Sequence, residues 1–273
     1  MTRSVDREAW NQLIRIRASI DAGVAKKVLL QSRVGSTGHH NGGRILFGPD
    51  GHLYIVVGEA DVRANSQDLS NVKGKILRMT PRGEIPDDNP FDGSYIYAYG
   101  IRNSFGLGFD STGDLWGTEP GPSCNDELNR YRRGANHGWG SEATCSTSSL
   151  AAPYNTNQSG PDPIVIPKAW YTPVITPTGL AFCQECRLGH RREGRLYFGS
   201  WSDVRIREVV LSATRRRVVD QRIVLYHGRS VLSMERAPDG VIYFSESGEI
   251  HALVRAPSAG ATRSRTSEPP TRG

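Results

Sequence analysis

A short motif that recurs four times, a tight turn followed by a strand of β-forming residues, sets the strongest constraint on how this chain folds. The copies span residues 47–58, 109–117, 193–199 and 237–245. Each places an Asp-Gly pair or its equivalent ahead of a Leu/Ile-Tyr/Trp run, and glycine permits the positive φ that reverses the chain between antiparallel strands. Copies spaced by roughly 45–80 residues are typical of four-stranded propeller blades. The motif therefore predicts an all-β protein of the β-propeller type.

Other segments alternate apolar and polar residues as half-buried strands do, and they agree with this architecture. These segments are 13–17, 75–79, 95–99, 205–211 and 249–254. The 30 glycines and 16 prolines suit many short strands joined by turns, and helix signals are sparse. We predict one propeller domain over residues 10–255 with a long loop insertion around 141–177, an N-terminal extension over 1–9 and a disordered tail over 256–273.

The positive charge of the chain does not predict a nucleic-acid partner. Its formal net charge is +6, but the arginines flank turns or lie in the tail, and no basic stripe is interleaved with aromatic residues. We interpret them as a basic solvated surface. No apolar run reaches the roughly 18 residues that a membrane span needs, so we expect no membrane span. The first residues have no apolar core, so we expect no signal peptide in this chain.

The cysteines fall into two local groups, Cys124 with Cys145 and Cys183 with Cys186. An even count at close spacing is compatible with two disulfides and an oxidising compartment. A zinc site and free thiols remain as alternatives. Because disulfides conflict with the missing signal peptide, we expect a truncated chain whose full-length parent is secreted, periplasmic or extracellular.

Three polar stretches interrupt the strand pattern, at residues 39–44, 100–104 and 119–127. In a propeller, the loops that precede the inner strands converge on one mouth of the central channel. We therefore expect the three stretches to lie together in space although they are far apart in sequence.

These stretches belong to a longer series that resembles one enzyme family. The strings are HNGGRILFGPDGHLYIVVGEA, GKILRM, IPDDNPF, IYAYGIRNSFGLGFD, GDLWGTEPGP, NDELN and GANHGWG. In this order they are similar to soluble aldose and glucose/sorbosone dehydrogenases over residues 40–140, and more loosely at PTGLAF and the last Pro-Asp-Gly repeat. The resemblance implies a six-bladed propeller whose first blade is missing or incomplete here, because that blade has no counterpart in this chain.

The resemblance also implies roles for particular residues. His40 corresponds to the catalytic base, since a neutral imidazole takes the proton of a sugar hydroxyl while the hydride leaves for pyrroloquinoline quinone. Arg102 and Asn103 match an Arg-Asn pair beside the quinone, where Arg102 stabilises developing negative charge. Gly121 and Pro122 match a Gly-Pro pair whose backbone carbonyls hold calcium.

The remaining polar groups of these stretches are interpreted differently. Asp126 and Glu127 are expected in a solvated loop, His39 and His137 are expected to be structural, and none of these four is assigned to the cofactor. Three departures from the family pattern weaken cofactor binding: Pro120, the absence of arginine in 230–235 and the absence of lysine in 201–204. The arginines that would have to compensate are Arg205, Arg207, Arg229 and Arg236.

The sequence thus predicts a quinone-dependent dehydrogenase that oxidises an aldose or related sugar to the lactone or acid. Its partners are the sugar and an external electron acceptor, and it is a monomer or homodimer. A quinone-free propeller that binds a carbohydrate or protein partner is the alternative, favoured by the depleted set of cationic groups. An inactive fragment is a third hypothesis, because a propeller closes only when its first and last blades pair.

Overall fold

The computed structural model describes residues 2–5, 8–140 and 160–256. Within these ranges helix is limited to two short 3-10 turns, Arg63–Ser66 and His190–Arg192, and strands make up the architecture. The all-β prediction is confirmed. The strands are β1 (Thr2–Val5), β2 (Glu8–Ser19), β3 (Ala22–Arg33), β4 (Ile45–Phe47), β5 (Leu53–Val57), β6 (Lys75–Met79), β7 (Ile96–Tyr99), β8 (Gly106–Phe109), β9 (Leu115–Glu119), β10 (Asp126–Tyr131), β11 (Ala169–Tyr171), β12 (Pro177–Phe182), β13 (Leu196–Ser200), β14 (Arg205–Leu211), β15 (Val218–Tyr226), β16 (Ser233–Arg236), β17 (Ile242–Ser245) and β18 (Ile250–Leu253).

The described strands form five antiparallel sheets, and each strand pairs with its neighbours in sequence. Strands β4–β7, β8–β11 and β12–β15 make four-stranded sheets, whereas β1–β3 and β16–β18 make three-stranded ones. The four sequence motifs provide β5, β9, β13 and β17, which is the second strand in each of four successive sheets. The preceding turns carry glycines at φ +74, +83, +72 and +84°, at Gly51, Gly113, Gly194 and Gly240.

The first strands of these four sheets lie side by side around a channel. Strand β8 lies against β4 and β12, and β12 lies against β16. Arg44, which precedes β4, reaches Ser233 Oγ on β16 at 3.2 Å, so the series of sheets curves round on itself. Residues at the ends of β4, β8, β12 and β16 together line a cavity of about 330 Å³. This arrangement is the one expected for propeller blades, while the six-blade count and the missing first blade stay predictions.

Apolar cores lie between neighbouring sheets, where the face of one sheet packs against the facing side of the next sheet. One core joins the β4–β7 and β8–β11 sheets, the next joins β8–β11 and β12–β15, and the third joins β12–β15 and β16–β18. Glycines let the first strands approach closely. A Cβ at Gly106 would lie 2.6 Å from Thr178 O, and one at Gly108 would lie 2.5 Å from Leu180 Cδ1.

The predicted strand segments 13–17, 75–79 and 205–211 lie within β2, β6 and β14, and 95–99 and 249–254 contain β7 and β18. One difference concerns the predicted loop insertion around 141–177. Its residues 169–171 form β11, which pairs with β10 and completes that sheet, because Ala-Trp-Tyr can cover an apolar core that a loop would leave exposed. Residues 141–159 and the predicted tail beyond 256 lie outside the described residues.

Cys183 and Cys186 form a disulfide with their Cα atoms 4.9 Å apart, so the zinc and free-thiol alternatives are wrong for this pair. Cys124 is disulfide-bonded as well, and Cys145, with which the sequence groups it, lies outside the described residues. No described helix has the length and apolar character needed to traverse a lipid bilayer.

Two tryptophans provide a test of where the cores lie. Trp116 is 0% exposed and its Nε1 donates to Asp110 Oδ2 at 3.2 Å, whereas Trp201 is 51% exposed. We expect Trp116→Ala to lower the free energy of unfolding by about 3–5 kcal/mol, because it leaves a cavity between two sheets. Trp201→Ala should lower it by less than about 1 kcal/mol. Chemical denaturation measures both, and equal losses would contradict this assignment of the cores.

Candidate functional site

His40 lies in the loop between β3 and β4, with its backbone in the left-handed region at φ +50°. Ala60 N donates to its carbonyl at 3.0 Å, and the absence of a side chain at Gly58 allows this contact, since a Cβ there would lie 2.2 Å from His40 O. Its Nδ1 lies 2.8 Å from Glu59 Oε1 and 3.4 Å from Asp61 Oδ1. A carboxylate that accepts the Nδ1 proton fixes the tautomer in which Nε2 is the basic nitrogen. The His40 imidazole is thus arranged as a base.

The second predicted stretch is tied to the His40 loop through two hydrogen bonds. Gly42 N donates to Asn103 Oδ1 at 3.0 Å, and Glu59 N donates to Arg102 O at 2.9 Å. Both members of the Arg-Asn pair therefore contact the loop that carries the imidazole. The structure places His40, Arg102 and Asn103 together, as expected from the convergence of loops before β4 and β8.

Glu119, the last residue of β9, anchors the Arg-Asn pair. Its Oε1 accepts hydrogen bonds from Arg102 N and from Asn103 N, the latter at 2.9 Å, and Tyr131 OH donates to Oε2 at 3.3 Å. Burial raises the pKa of Glu119 to about 7, and the two backbone N–H groups oppose this shift. One buried carboxyl group thus fixes the backbone of both neighbouring residues.

The Arg102 side chain lies against an aromatic ring. Its Nη1 donates to Pro120 O at 3.0 Å, and its guanidinium carbon is 5.4 Å from the centroid of Trp139. The guanidinium carbon of Arg63 is also 5.4 Å from that centroid. Arg102 Nε and Trp139 Nε1 are buried and have no hydrogen-bond partner among the described residues. Buried donors without acceptors are rare in folded proteins, and two on contacting groups are suited to binding an acceptor-rich ligand.

The Gly121–Pro122 turn follows β9 and is held by a third carboxylate. Gly121 N donates to Asp126 Oδ1 at 2.7 Å, while Asp126 Oδ2 accepts from Ile175 N and Thr176 N at 2.6 and 2.7 Å. Burial raises the pKa of Asp126, and the three N–H groups act in the opposite direction. The turn is therefore fixed before any ligand binds.

The expectation that Asp126 and Glu127 lie in a solvated loop is wrong. Both are buried in β10, where Glu127 pairs in register with Glu119 of β9. The reason is the short connection between β9 and β10, which returns the chain directly into the sheet. Asp126 is buried because its carboxylate accepts from three backbone N–H groups, which a solvated loop would not require.

A cleft of about 10 Å³, room for one ion or water molecule, lies between these groups. It contains two carboxyl groups and the backbone before the Gly-Pro turn, which are oxygen donors that suit a hard cation such as calcium. The cleft is too small to enclose a multi-ring cofactor, so such a molecule would contact its mouth. Its lining residues are Arg102, Glu119, Pro120, Gly121, Glu127, His137 and Trp139.

His137 lies outside the proton-transfer group, whereas His39 contacts it only at Asp61, where its Nδ1 is 3.7 Å from Oδ2. His137 is buried, its Nε2 accepts from Arg132 N at 3.3 Å and its ring meets the edge of Tyr131. Burial lowers the pKa of His137 to about 3, so the imidazole is neutral near neutral pH. The side chain of His39 is 73% exposed. The burial of His137 agrees with the structural role expected for it, and the role of His39 stays a prediction.

The arginines proposed to compensate for missing cationic groups are engaged elsewhere. Arg207 pairs with Asp203, and Arg205 is 3.8 Å from the same carboxylate. Arg229 Nη1 is 3.1 Å from Glu246 Oε1. None of these arginines lines the small cleft, and neither does Arg236. The cation that does lie beside Arg102 is Arg63, which stacks on the same indole ring.

Several residues of the site were given no role in the interpretation of the sequence. They are Glu59, Asp61, Arg63, Glu119 and Trp139. Glu59, Glu119 and Trp139 stand within the strings that carry the family resemblance, so the signal for them was position in those strings. Arg63 and Asp61 follow the β5 strand without any local pattern that distinguishes them from a surface turn.

The chain is similar to known proteins of one enzyme family. The model of the family described as Glucose / Sorbosone dehydrogenase matches residues 1–255. Aldose sugar dehydrogenase YliI of Escherichia coli K12 is 32% identical over 238 residues, which cover 79% of this chain and 60% of that protein. The chain thus spans about 60% of the length of this curated relative.

Two solved structures share the fold. The soluble aldose sugar dehydrogenase of Escherichia coli, in its apo form, superposes with a TM-score of 0.77 at 27% identity, over 92% of this chain and 75% of that one. The aldose sugar dehydrogenase of Streptomyces coelicolor, in its PQQ-bound form, gives a TM-score of 0.71 at 28% identity, over 89% of this chain and 70% of that one.

Fold and site together define an all-β protein with an imidazole–carboxylate pair beside an anchored arginine. With the family model matched over residues 1–255, the chain belongs to the glucose/sorbosone dehydrogenase family of oxidoreductases.

The raised pKa of Glu119 leads to a prediction about pH. Below its ordinary pKa of 4.5 the carboxyl group is protonated in both states, and between pH 4.5 and about 7 only the folded chain keeps the proton. The free energy of unfolding therefore falls as pH rises through this window. We expect Glu119→Gln to remove this dependence, which amounts to roughly 3 kcal/mol. Chemical denaturation at several pH values in this window, with a metal chelator present, measures the free energy of unfolding. Glu185→Gln, at an exposed position, is the control. The same pH dependence in the wild type and in both variants would contradict a raised pKa of Glu119.

Proposed function

We propose that this chain carries the catalytic site of a dehydrogenase that depends on pyrroloquinoline quinone. Such an enzyme oxidises an aldose or related sugar to the lactone or acid and passes the electrons to an external acceptor. The observation that carries the proposal is the His40–Glu59 pair, hydrogen-bonded to the loop of Arg102 and Asn103. The names of the relatives and the PQQ-bound neighbour from Streptomyces coelicolor support it.

His40 is the proposed base of the reaction. Its Nε2 would take the proton from the sugar hydroxyl that is oxidised, and Glu59, 2.8 Å from Nδ1, would stabilise the imidazolium that forms. The carboxylate of Asp61, 3.4 Å from the same nitrogen, adds to this stabilisation.

Arg102 is the proposed electrostatic partner of the quinone. Its guanidinium is held by Pro120 O and by the Trp139 ring at the lining of the small cleft, and its charge would stabilise negative charge on a quinone bound at the mouth. When bound, the quinone supplies the two-electron acceptor and calcium the Lewis acid that polarises it. The carbonyls of Gly121 and Pro122, beside the acidic cleft, would hold the calcium ion.

A quinone-free binding module is the second candidate function. It is favoured by the pairing of Arg207 and Arg229 with carboxylates, which leaves fewer cations for the carboxylate groups of the quinone. The six-bladed architecture with an incomplete first blade, the secreted or periplasmic location, the monomeric or dimeric state and the hypothesis of an inactive fragment stay predictions of the sequence.

Two adjacent histidines allow a matched test of the proposed activity. We expect calcium-loaded protein to bind pyrroloquinoline quinone saturably and to reduce a dye in the presence of aldoses. His40→Ala should lower the rate by roughly 10²–10⁴-fold, because it removes the general base. His39→Ala should lower the rate far less, since this side chain is 73% exposed and reaches the site only through Asp61, 3.7 Å away. Calorimetry measures quinone binding, and dye reduction measures turnover over a panel of sugars.

Each outcome separates the candidate functions. Saturable quinone binding with equal activity of the two variants would remove His40 from the mechanism. The absence of quinone binding in protein with a cooperative unfolding transition would favour the binding module, and the absence of such a transition would favour the inactive fragment.

A further inference from the structure

We propose a second cation site, of the class that binds zinc, formed by His227, Glu246 and His251. His227 follows β15, Glu246 follows β17 and His251 lies in β18, so the three residues come from two neighbouring sheets. Their ligand atoms all lie within 4.8 Å of one another. This group lies apart from the candidate active site and does not depend on the proposed function.

The distances match those of a zinc site. His227 Nε2 is 3.2 Å from Glu246 Oε2, and His251 Nε2 is 3.3 Å from Glu246 Oε1. Ligands at about 2.0–2.2 Å from a tetrahedral zinc ion are themselves separated by roughly 3.3–3.5 Å. Glu249 Oε2, 3.4 Å from His251 Nε2, can supply a fourth ligand. Two imidazoles with carboxylate are borderline donors that select zinc over calcium.

The surroundings restrict the two rings. Glu246 is buried, and the rings of His227 and His251 lie 5.0 and 5.1 Å from Phe244, the first edge-on and the second stacked. The two imidazole centroids are 4.9 Å apart. Both Nε2 atoms therefore face the same buried carboxylate, and little rearrangement is needed to replace two N–H···O contacts by bonds to one ion.

Arg229 is the cation that competes for this position. Its Nη1 is 3.1 Å from Glu246 Oε1, and its side chain is 66% exposed. A long exposed side chain can leave an ion pair at little cost. Zinc binding would displace it, so Arg229 should weaken the site without preventing occupancy.

The position of the group gives the ion a structural role. His227 begins the connection from the β12–β15 sheet to the β16–β18 sheet, whereas Glu246 and His251 belong to the hairpin of β17 and β18. An ion on these residues would cross-link the connection to the last described sheet, which has only three strands. Zinc would then raise the thermal stability of the protein, and the gain would grow with the logarithm of the zinc concentration above the Kd.

The test is calorimetric titration of the whole protein with Zn²⁺ in excess calcium. We expect one binding event that His251→Gln weakens by at least about tenfold and that Arg229→Gln strengthens. His40→Gln is the matched control, because His40, Glu59 and Asp61 are the other group of this kind among the described residues. The event assigned to His227, Glu246 and His251 should persist in His40→Gln.

A second measurement keeps the proposal testable where His251→Gln does not fold. Cobalt bound to the wild-type protein should give the intense visible absorption of a tetrahedral ion, and Arg229→Gln should shift its titration to lower cobalt concentration. The proposal is overturned by wild-type protein that binds neither metal, by a zinc event that His251→Gln leaves unchanged, or by one that only His40→Gln abolishes.

Discussion

A single buried carboxyl group organises the candidate active site. Glu119 accepts hydrogen bonds from the backbone of Arg102 and Asn103, and these residues in turn accept from Glu59 and Gly42 of the loop around His40. Three segments from two sheets are thereby joined in one chain of hydrogen bonds. Because the carboxyl group is removed from water, each of these bonds is stronger than it would be at the surface, and its loss would leave two buried N–H groups without acceptors.

The sheets bring these segments together. Four hairpins occupy equivalent positions in successive sheets, and glycines in β8 let the first strands approach to van der Waals contact around the channel. The loops that precede β4 and β8 and the turn that follows β9 then open toward the same end of the fold. Propellers place their functional groups in this way, since the sheets are rigid and the loops carry the chemistry.

The sequence predicts the repeated elements well and the buried polar groups poorly. The turn motifs predict β5, β9, β13 and β17 because glycine and a β-forming run are local properties. The convergence of His40, Arg102 and Asn103 follows from topology and family resemblance. Glu119 and Asp126 escape detection because a carboxylate in a strand resembles a solvated residue until its backbone partners, which are distant in sequence, are known. Strand β11 is not predicted because its three residues are stabilised by pairing with β10 rather than by local propensity.

Amide hydrogen exchange of the folded protein measures directly whether Glu119 holds the Arg-Asn pair in place. We expect the amides of Arg102 and Asn103 to exchange slowly in the wild type and much faster in Glu119→Ala, while amides in the distant β14 strand keep their rates. Fast exchange of both amides in the wild type, or slow exchange that Glu119→Ala leaves unchanged, would contradict it.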